Sequence, residues 1–210
     1  MRLAVLALAV LALAGCGGNG GGTESTAEGC ADVDAPAAKA DGGATKPSAP
    51  LDDSTTYVLV VETSCGDFEI TLDQKLAPNT AASLVALAND GFFENTTFHR
   101  IVPGFVIQGG DPTGMGSGGP GYSTVDPPPS DAAYTRGVVA MAKTSLEPPG
   151  TSGSQFFVVT ADDAGLQPEY AIVGEVTKGY DTVERIGELG DANEQPTRPV
   201  VIERVSVRKS

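Results

Sequence analysis

The stretch FHRIVPGFVIQGGD, residues 98–111, decides how this chain is read. Two apolar runs flank Pro103-Gly104, a breaker pair, so the stretch predicts a β-hairpin. Side chains alternate across a strand. Alternation puts Phe98, Arg100 and Val102 on one face and sends His99, with Ile101 and Ile107, toward the core. A turn centred on Gly104 sets Arg100 roughly opposite Gln108. His99 is the only histidine of the chain and invites a reading as a catalytic base. The register instead makes it a packed, hydrogen-bonded core residue and leaves Arg100 on the working face.

Working outward, most segments read as strands. TYVLVVETSCGDFEITL (56–72) alternates and breaks at Cys65-Gly66-Asp67, predicting another hairpin. GVVAMA (137–142), SQFFVVT (154–160), AIVGEVT (171–177) and VVIERVSVR (200–208) are further strands. Two segments have helical period. In NTAASLVALANDG (79–91), Ala81, Leu84, Val85 and Ala88 share a face and Gly91 suits a C-terminal cap. In YDTVERIGEL (180–189), Val183 and Ile186 face inward. Many strands with two helices predict a mainly β protein, a closed barrel with helices over its ends.

The first residues follow other rules. Arg2 and an apolar run from Leu3 to Ala14 have the pattern of a signal peptide over 1–15, too short to span a bilayer. Leu13-Ala14-Gly15-Cys16 resembles the lipobox of bacterial lipoproteins. That resemblance implies a lipid anchor on Cys16 and a place at the cell envelope, on the outer face of the cytoplasmic membrane or, in an organism that has one, at the outer membrane. Residues 17–54 hold no aromatic side chain and one leucine, Leu51. The expectation is therefore a flexible tether over 16–54 and one folded domain over 55–210. Export would place Cys30 and Cys65 in an oxidising compartment, where they are a candidate disulfide; two free thiols are the alternative. The formal net charge of −14 offers no basic surface for nucleic acid. Nothing requires more than a monomer.

Several motifs fail. GMGSGG (114–119) matches a dinucleotide fingerprint but runs into PGYSTVDPPPS with no helix behind it. Ser152 and Ser154 could pair with His99 in a hydrolase, yet neither stands in a nucleophile elbow. Two cysteines and one distant histidine give no metal-ligand spacing, and no cofactor is expected.

The motif that holds is the opening stretch. It resembles the signature of the cyclophilin-type peptidyl-prolyl isomerases, joined by GVVAMA and by GTSGSQFFVVT (150–160), over about Val58 to Val207. The resemblance implies a closed eight-stranded antiparallel barrel capped by two α-helices. It implies Arg100, Gln108 and Phe105 as the catalytic group, and Val106, Phe157 and Leu166 as an apolar cup for a substrate proline. Ala142 and Lys143 match a strand that pairs with the peptide, Gln155 matches a peptide-contacting glutamine, and Tyr170 stands where the family often has His. Phe156 is assigned to the core and Phe157 to the cup, since neighbours face opposite ways. Val106 often corresponds to Met, Lys143 to Asn and Gly165 to Trp. Lys143 would then be a flexible cation at the groove edge favouring acidic substrates, and Gly165 implies weak cyclosporin binding. The implied partners are proline-containing segments of unfolded or exported proteins. The alternative is a binding module that holds such segments without turning them over.

Overall fold

The computed structural model describes residues 29–210. The expected signal peptide, the expected lipidation site Cys16 and the start of the expected tether lie outside the described residues. Ten strands and two helices follow in the order β1 (Tyr57–Thr63), β2 (Gly66–Leu72), α1 (Pro78–Asn89), β3 (Thr96–Val102), β4 (Val106–Asp111), β5 (Thr124–Val125), β6 (Val138–Met141), β7 (Thr151–Ser152), β8 (Phe156–Val159), β9 (Ile172–Lys178), α2 (Tyr180–Gly187) and β10 (Val201–Lys209). Eight of them close a barrel in the order β1-β10-β3-β4-β8-β6-β9-β2, and β5 pairs with β7 outside it. Every pairing is antiparallel. The closed eight-stranded antiparallel barrel with two helices is the fold the sequence predicts.

The barrel interior is filled. Phe98 meets Phe68 and Phe156 at ring-centroid distances of 6.3 and 6.0 Å, and Phe93 packs edge-on against Phe156. Ile101, Ile107 and Val139 complete the layer. A void of about 10 Å³ between Leu59, Ile70, Leu84, Phe93, Val139 and Phe156 is roughly the space one water needs. An eight-stranded barrel either fills with its own side chains or holds one small ligand, and here the side chains fill it.

Helix α1 buries Ala81, Leu84, Val85 and Ala88, and also Thr80, Ala82, Ser83 and Leu87. Its C-terminus closes as a Schellman motif: Gly91 at φ +67° donates to Ala88 O, and Phe92 N–H donates to Leu87 O. Its N-terminus has no local side-chain cap. Buried Asp126, just past β5, caps it from a distance, its carboxylate accepting Thr80 N–H at 2.7 Å. Helix α2 turns Val183 and Ile186 inward, both fully buried.

Residues 29–54 differ from the free tether the composition predicts. They form neither helix nor regular strand, yet they run along the outside of the barrel as a strap. Cys30 and Cys65 form a disulfide at its start, beside an Ala31 N–H to Ser64 O bond. Lys39 gives its Nζ to the carbonyls of Gly91, Phe92 and Glu94, just beyond the end of α1. Gly42 N–H and Ala44 N–H donate to Gly119 O and Pro120 O, and Asp41 Oδ1 accepts Gly119 N–H. Ala44 and Leu51 pack against the main core. A segment poor in large side chains is held here by the disulfide, by backbone bonds and by the side chains of Lys39 and Asp41, ties that composition does not register.

Candidate active site

Strand β3 carries a bulge at His99. Phe98 pairs with Gly109 and Arg100 with Gln108, so adjacent residues of β4 face partners that are two apart on β3. The extra residue resets the alternation. Phe98 and Ile101, three apart, both enter the core, and both are fully buried. This corrects the strict alternation that sends His99 inward with Ile101 and Ile107 and groups Phe98 with Arg100. The His99 ring lies instead beside Gly116, in the loop after β4, and neither ring nitrogen has a protein hydrogen-bond partner. Burial lowers its pKa against the opposing pull of the Asp111 charge, so the imidazole stays neutral at pH 7.

Opposite Gln108, Arg100 sits in a line of polar groups. Its Nε donates to Glu194 Oε2 at 2.7 Å, and Nη1 makes a longer 3.4 Å contact with Gln108 Oε1. Gln108 Nε2 donates to Gln155 Oε1 at 3.0 Å, and Gln155 Nε2 to Gly118 O at 2.9 Å. The line crosses from β3 through β4 to the loop before β8, and each amide is oriented by the next.

The 112–119 loop that ends this line is organised by Asp111, fully buried at the end of β4. Its carboxylate accepts the N–H groups of Thr113, Gly116 and Gly118. Burial would raise its pKa, but these donors outweigh it and hold the carboxyl below its ordinary value. Gly110 must lack a side chain, since a Cβ there would lie 2.6 Å from Ser154 O. The glycines of GMGSGG thus wrap a structural carboxylate, and no helix follows them.

Beside Arg100 lies a second apolar cluster, on the outer face of the sheet. Val106, Tyr134, Ala140, Phe157 and Val159 form its buried floor, with Phe105, Ala142, Leu166 and Tyr170 half-exposed at its rim. Phe157 meets Tyr170 edge-on at 5.5 Å, and Tyr134 meets it at 6.0 Å. Tyr134 donates its hydroxyl to Tyr170 O and accepts Tyr170 N–H, clamping that wall. Burial raises the Tyr134 pKa, which keeps the donor protonated. Gly165 takes φ +62° with open space where a side chain would point, so the rim is open there.

Next to the cup, a groove of about 540 Å³ runs past Gln108, Gln155, Ala142 and the loop 116–123. Asp41 of the strap is part of its wall. Lys143 also lines it, but not as the flexible edge cation expected. Its side chain is 2% exposed, its Nζ pairs with Glu169 at 2.8 Å, and it lies over the Tyr170 ring. Its charge is spent inside the protein, so it gives no reason to favour acidic peptides.

The structure therefore brings Arg100, Phe105, Val106, Gln108, Ala142, Lys143, Gln155, Phe157, Leu166 and Tyr170 to one outer face. Sequence reading missed Glu194, Asp111, Tyr134 and Asp41. Of these only Asp111 had a local signal, as the final residue of the opening stretch. Among the described residues no group of three His, Cys, Asp or Glu could hold a metal ion, and no helix is long and apolar enough to cross a membrane.

Residues 58–207 match the family model described as cyclophilin type peptidyl-prolyl cis-trans isomerase/CLD. The chain is similar to the peptidyl-prolyl cis-trans isomerase A of Mycobacterium tuberculosis, 36% identical over 171 residues, covering 72% of this chain and 92% of that protein. It is similar also to the peptidyl-prolyl cis-trans isomerase-like 1 of Emericella nidulans, 38% identical over 151 residues, covering 70% and 91%. Among solved structures, a cyclophilin-type isomerase of Cryptosporidium parvum superposes with a TM-score of 0.67 at 31% identity, covering 73% of this chain and 98% of that one. A second structure of it, determined in the presence of the dipeptide Ala-Pro, gives 0.66 at 32% identity, covering 72% and 98%.

Proposed function

Since this chain belongs to the cyclophilin-type peptidyl-prolyl cis-trans isomerase family, we propose that it isomerises Xaa-Pro bonds of exported proteins at the cell envelope, with Arg100 as the catalytic residue. The observation that carries the reading is a guanidinium held in a line of polar groups with Gln108 and Glu194, beside an apolar cup. Amide resonance imposes a rotation barrier of roughly 18–20 kcal/mol. As the bond twists, the prolyl nitrogen loses conjugation and becomes a better hydrogen-bond acceptor. A guanidinium donating toward it stabilises the twisted state more than either planar one, which is the requirement for catalysis. Arg suits the task because its charge is permanent and its fork of donors is planar. Phe105, Val106, Phe157 and Leu166 hold the proline ring against Tyr170, while Ala142, Lys143 and Gln155 border the flanking peptide. No proton is transferred and no covalent bond forms, so a neutral His99 is no handicap.

Location rests on the N-terminal sequence. The apolar run before Cys16 supports export and lipid anchoring. A disulfide between Cys30 and Cys65 fits an oxidising compartment. The clients would then be proline-containing chains emerging from secretion.

The test is a protease-coupled isomerisation assay on an Xaa-Pro peptide. Arg100→Ala is expected to lower kcat/KM by about 10²–10³-fold, the scale of removing one transition-state donor. Equal acceleration by both proteins would defeat the assignment of Arg100, and no acceleration by either would leave a module that only binds proline segments. Cys16→Ser should release the protein from membranes; retention would remove the anchor from the proposal.

A further inference from the structure

We propose that Glu194 is the positioning residue for Arg100, the group that aims the guanidinium into the cup; this rests on the reading of Arg100 as catalytic. Gln108 alone is a weak holder, since its contact with Nη1 is 3.4 Å long. The short bond is on the other edge, from Nε to Glu194 Oε2 at 2.7 Å. A guanidinium is planar and its donors are fixed relative to one another. Engaging Nε by a carboxylate and Nη1 by an amide sets the plane of the fork and leaves Nη2 to meet a substrate.

The backbone around Glu194 is built for this placement. Glu194 adopts φ +64°, one of two non-glycine residues with positive φ among those described. That conformation is rare for a side chain of this size and persists only where its surroundings enforce it. Here they do. Asp191 accepts the N–H groups of Asn193 and Gln195 at 2.8 and 2.9 Å, and Glu194 N–H donates to Asp191 O. Glu194 O then accepts Ile101 N–H at 3.0 Å, so one residue grips β3 by backbone and side chain on consecutive positions. Gly190 allows the close approach, because a Cβ there would lie 2.4 Å from Ile101 O. The loop 190–196 is thus pressed against β3 where its carboxylate meets Arg100.

Two effects of Glu194 oppose each other. Its negative charge partly offsets the cation that the twisted amide would use, while its hydrogen bond fixes that cation in place. The side chains are 33% and 50% exposed, so the charge effect is screened by water and the orientation effect dominates. Glu194→Gly separates positioning from folding, since glycine accepts φ +64° without strain. We expect Glu194→Gly to be at least as stable as wild type toward urea. Its kcat should nevertheless fall on the order of tenfold with KM nearly unchanged, less than the 10²-fold a 1 Å misplacement can cost. Glu194→Gln, whose amide oxygen can still accept from Nε, should recover most of the loss. In NMR spectra the Arg100 Nε–H resonance should exchange slowly in wild type and in Glu194→Gln, and rapidly in Glu194→Gly. Wild-type kcat in Glu194→Gly, or an equal loss in both variants, would overturn the proposal. Arg100→Ala assayed alongside keeps the two ideas apart. If it has wild-type turnover, the reading of Arg100 fails; if it is impaired while Glu194→Gly is not, only the positioning role fails.

Discussion

Phe156 and Phe157 are adjacent on one strand and belong to two different apolar clusters. Phe156 enters the barrel, where rings and aliphatic chains leave a void of about 10 Å³. Phe157 lies on the outer face, in a cluster whose floor is buried but whose rim is half-exposed. The first cluster is closed on every side by strands and helices. The second lacks a cover, and beside it lies a groove of about 540 Å³. Both follow from the same alternation of side chains across a sheet. What separates them is whether the fold supplies the final layer: inside it does, and outside the rim stays open.

That comparison can be broken by exchanging its terms. Phe98→Ala empties part of the interior and should cost about 3–5 kcal/mol in urea denaturation, with turnover per folded molecule almost unchanged. If activity instead falls further than stability, the interior is not independent of the cup. Removing the Cys30–Cys65 disulfide by paired serine substitution comes next, at about 2–4 kcal/mol. The amides of Ala31, Lys39, Gly42 and Ala44 should then lose hydrogen-exchange protection while the strands keep theirs. Uniform loss across the domain would make the strap part of the core. Phe157→Leu stays apolar but loses volume and should cost on the order of 1–2 kcal/mol. Its KM for an Xaa-Pro peptide should rise several-fold; an unchanged KM would mean the uncovered cluster is not the cup.

The smallest effect lies on the outer surface away from both clusters. The Arg208 guanidinium, with Lys178, holds the Glu69 carboxyl at about 2, against an ordinary 4.5. A lowered carboxyl stabilises the folded state above its unfolded value, and the gain disappears as pH falls from about 4.5 toward 2. Glu69→Gln should therefore shallow the acid limb of the stability curve and leave pH 7 activity alone. A steeper limb would contradict the pairing.

What could be read from the sequence divides along physical lines. Alternation and breaker residues are local, so the barrel strands, both helices and the split between Phe156 and Phe157 were legible. The bulge at His99 was not. It depends on which residue of β4 faces which of β3, and one inserted residue reverses every side chain beyond it. Lys143 read as an edge cation because its partner Glu169 arrives from another loop. Glu194 reaches Arg100 from 94 positions away, and no periodicity announces such a contact. The strap failed for a different reason. Its ties are the disulfide, backbone N–H and C=O groups that every residue carries, and the side chains of Lys39, Asp41 and Lys46 reaching distant loops, so its sequence resembles a linker while its path does not.

The disulfide at the head of the strap also has a mechanical side. Tension on the chain upstream of Cys30 enters the barrel through the sulfur bridge at Cys65, in the turn between β1 and β2. Residues 31–54 lie off that load path as a slack branch. Their hydrogen bonds, including those of Asp41 and Gly42 to Gly119 at the groove wall, are not in series with the covalent bridge. Drag on the domain through its N-terminal lead would be borne by a covalent link, and the groove would keep its shape.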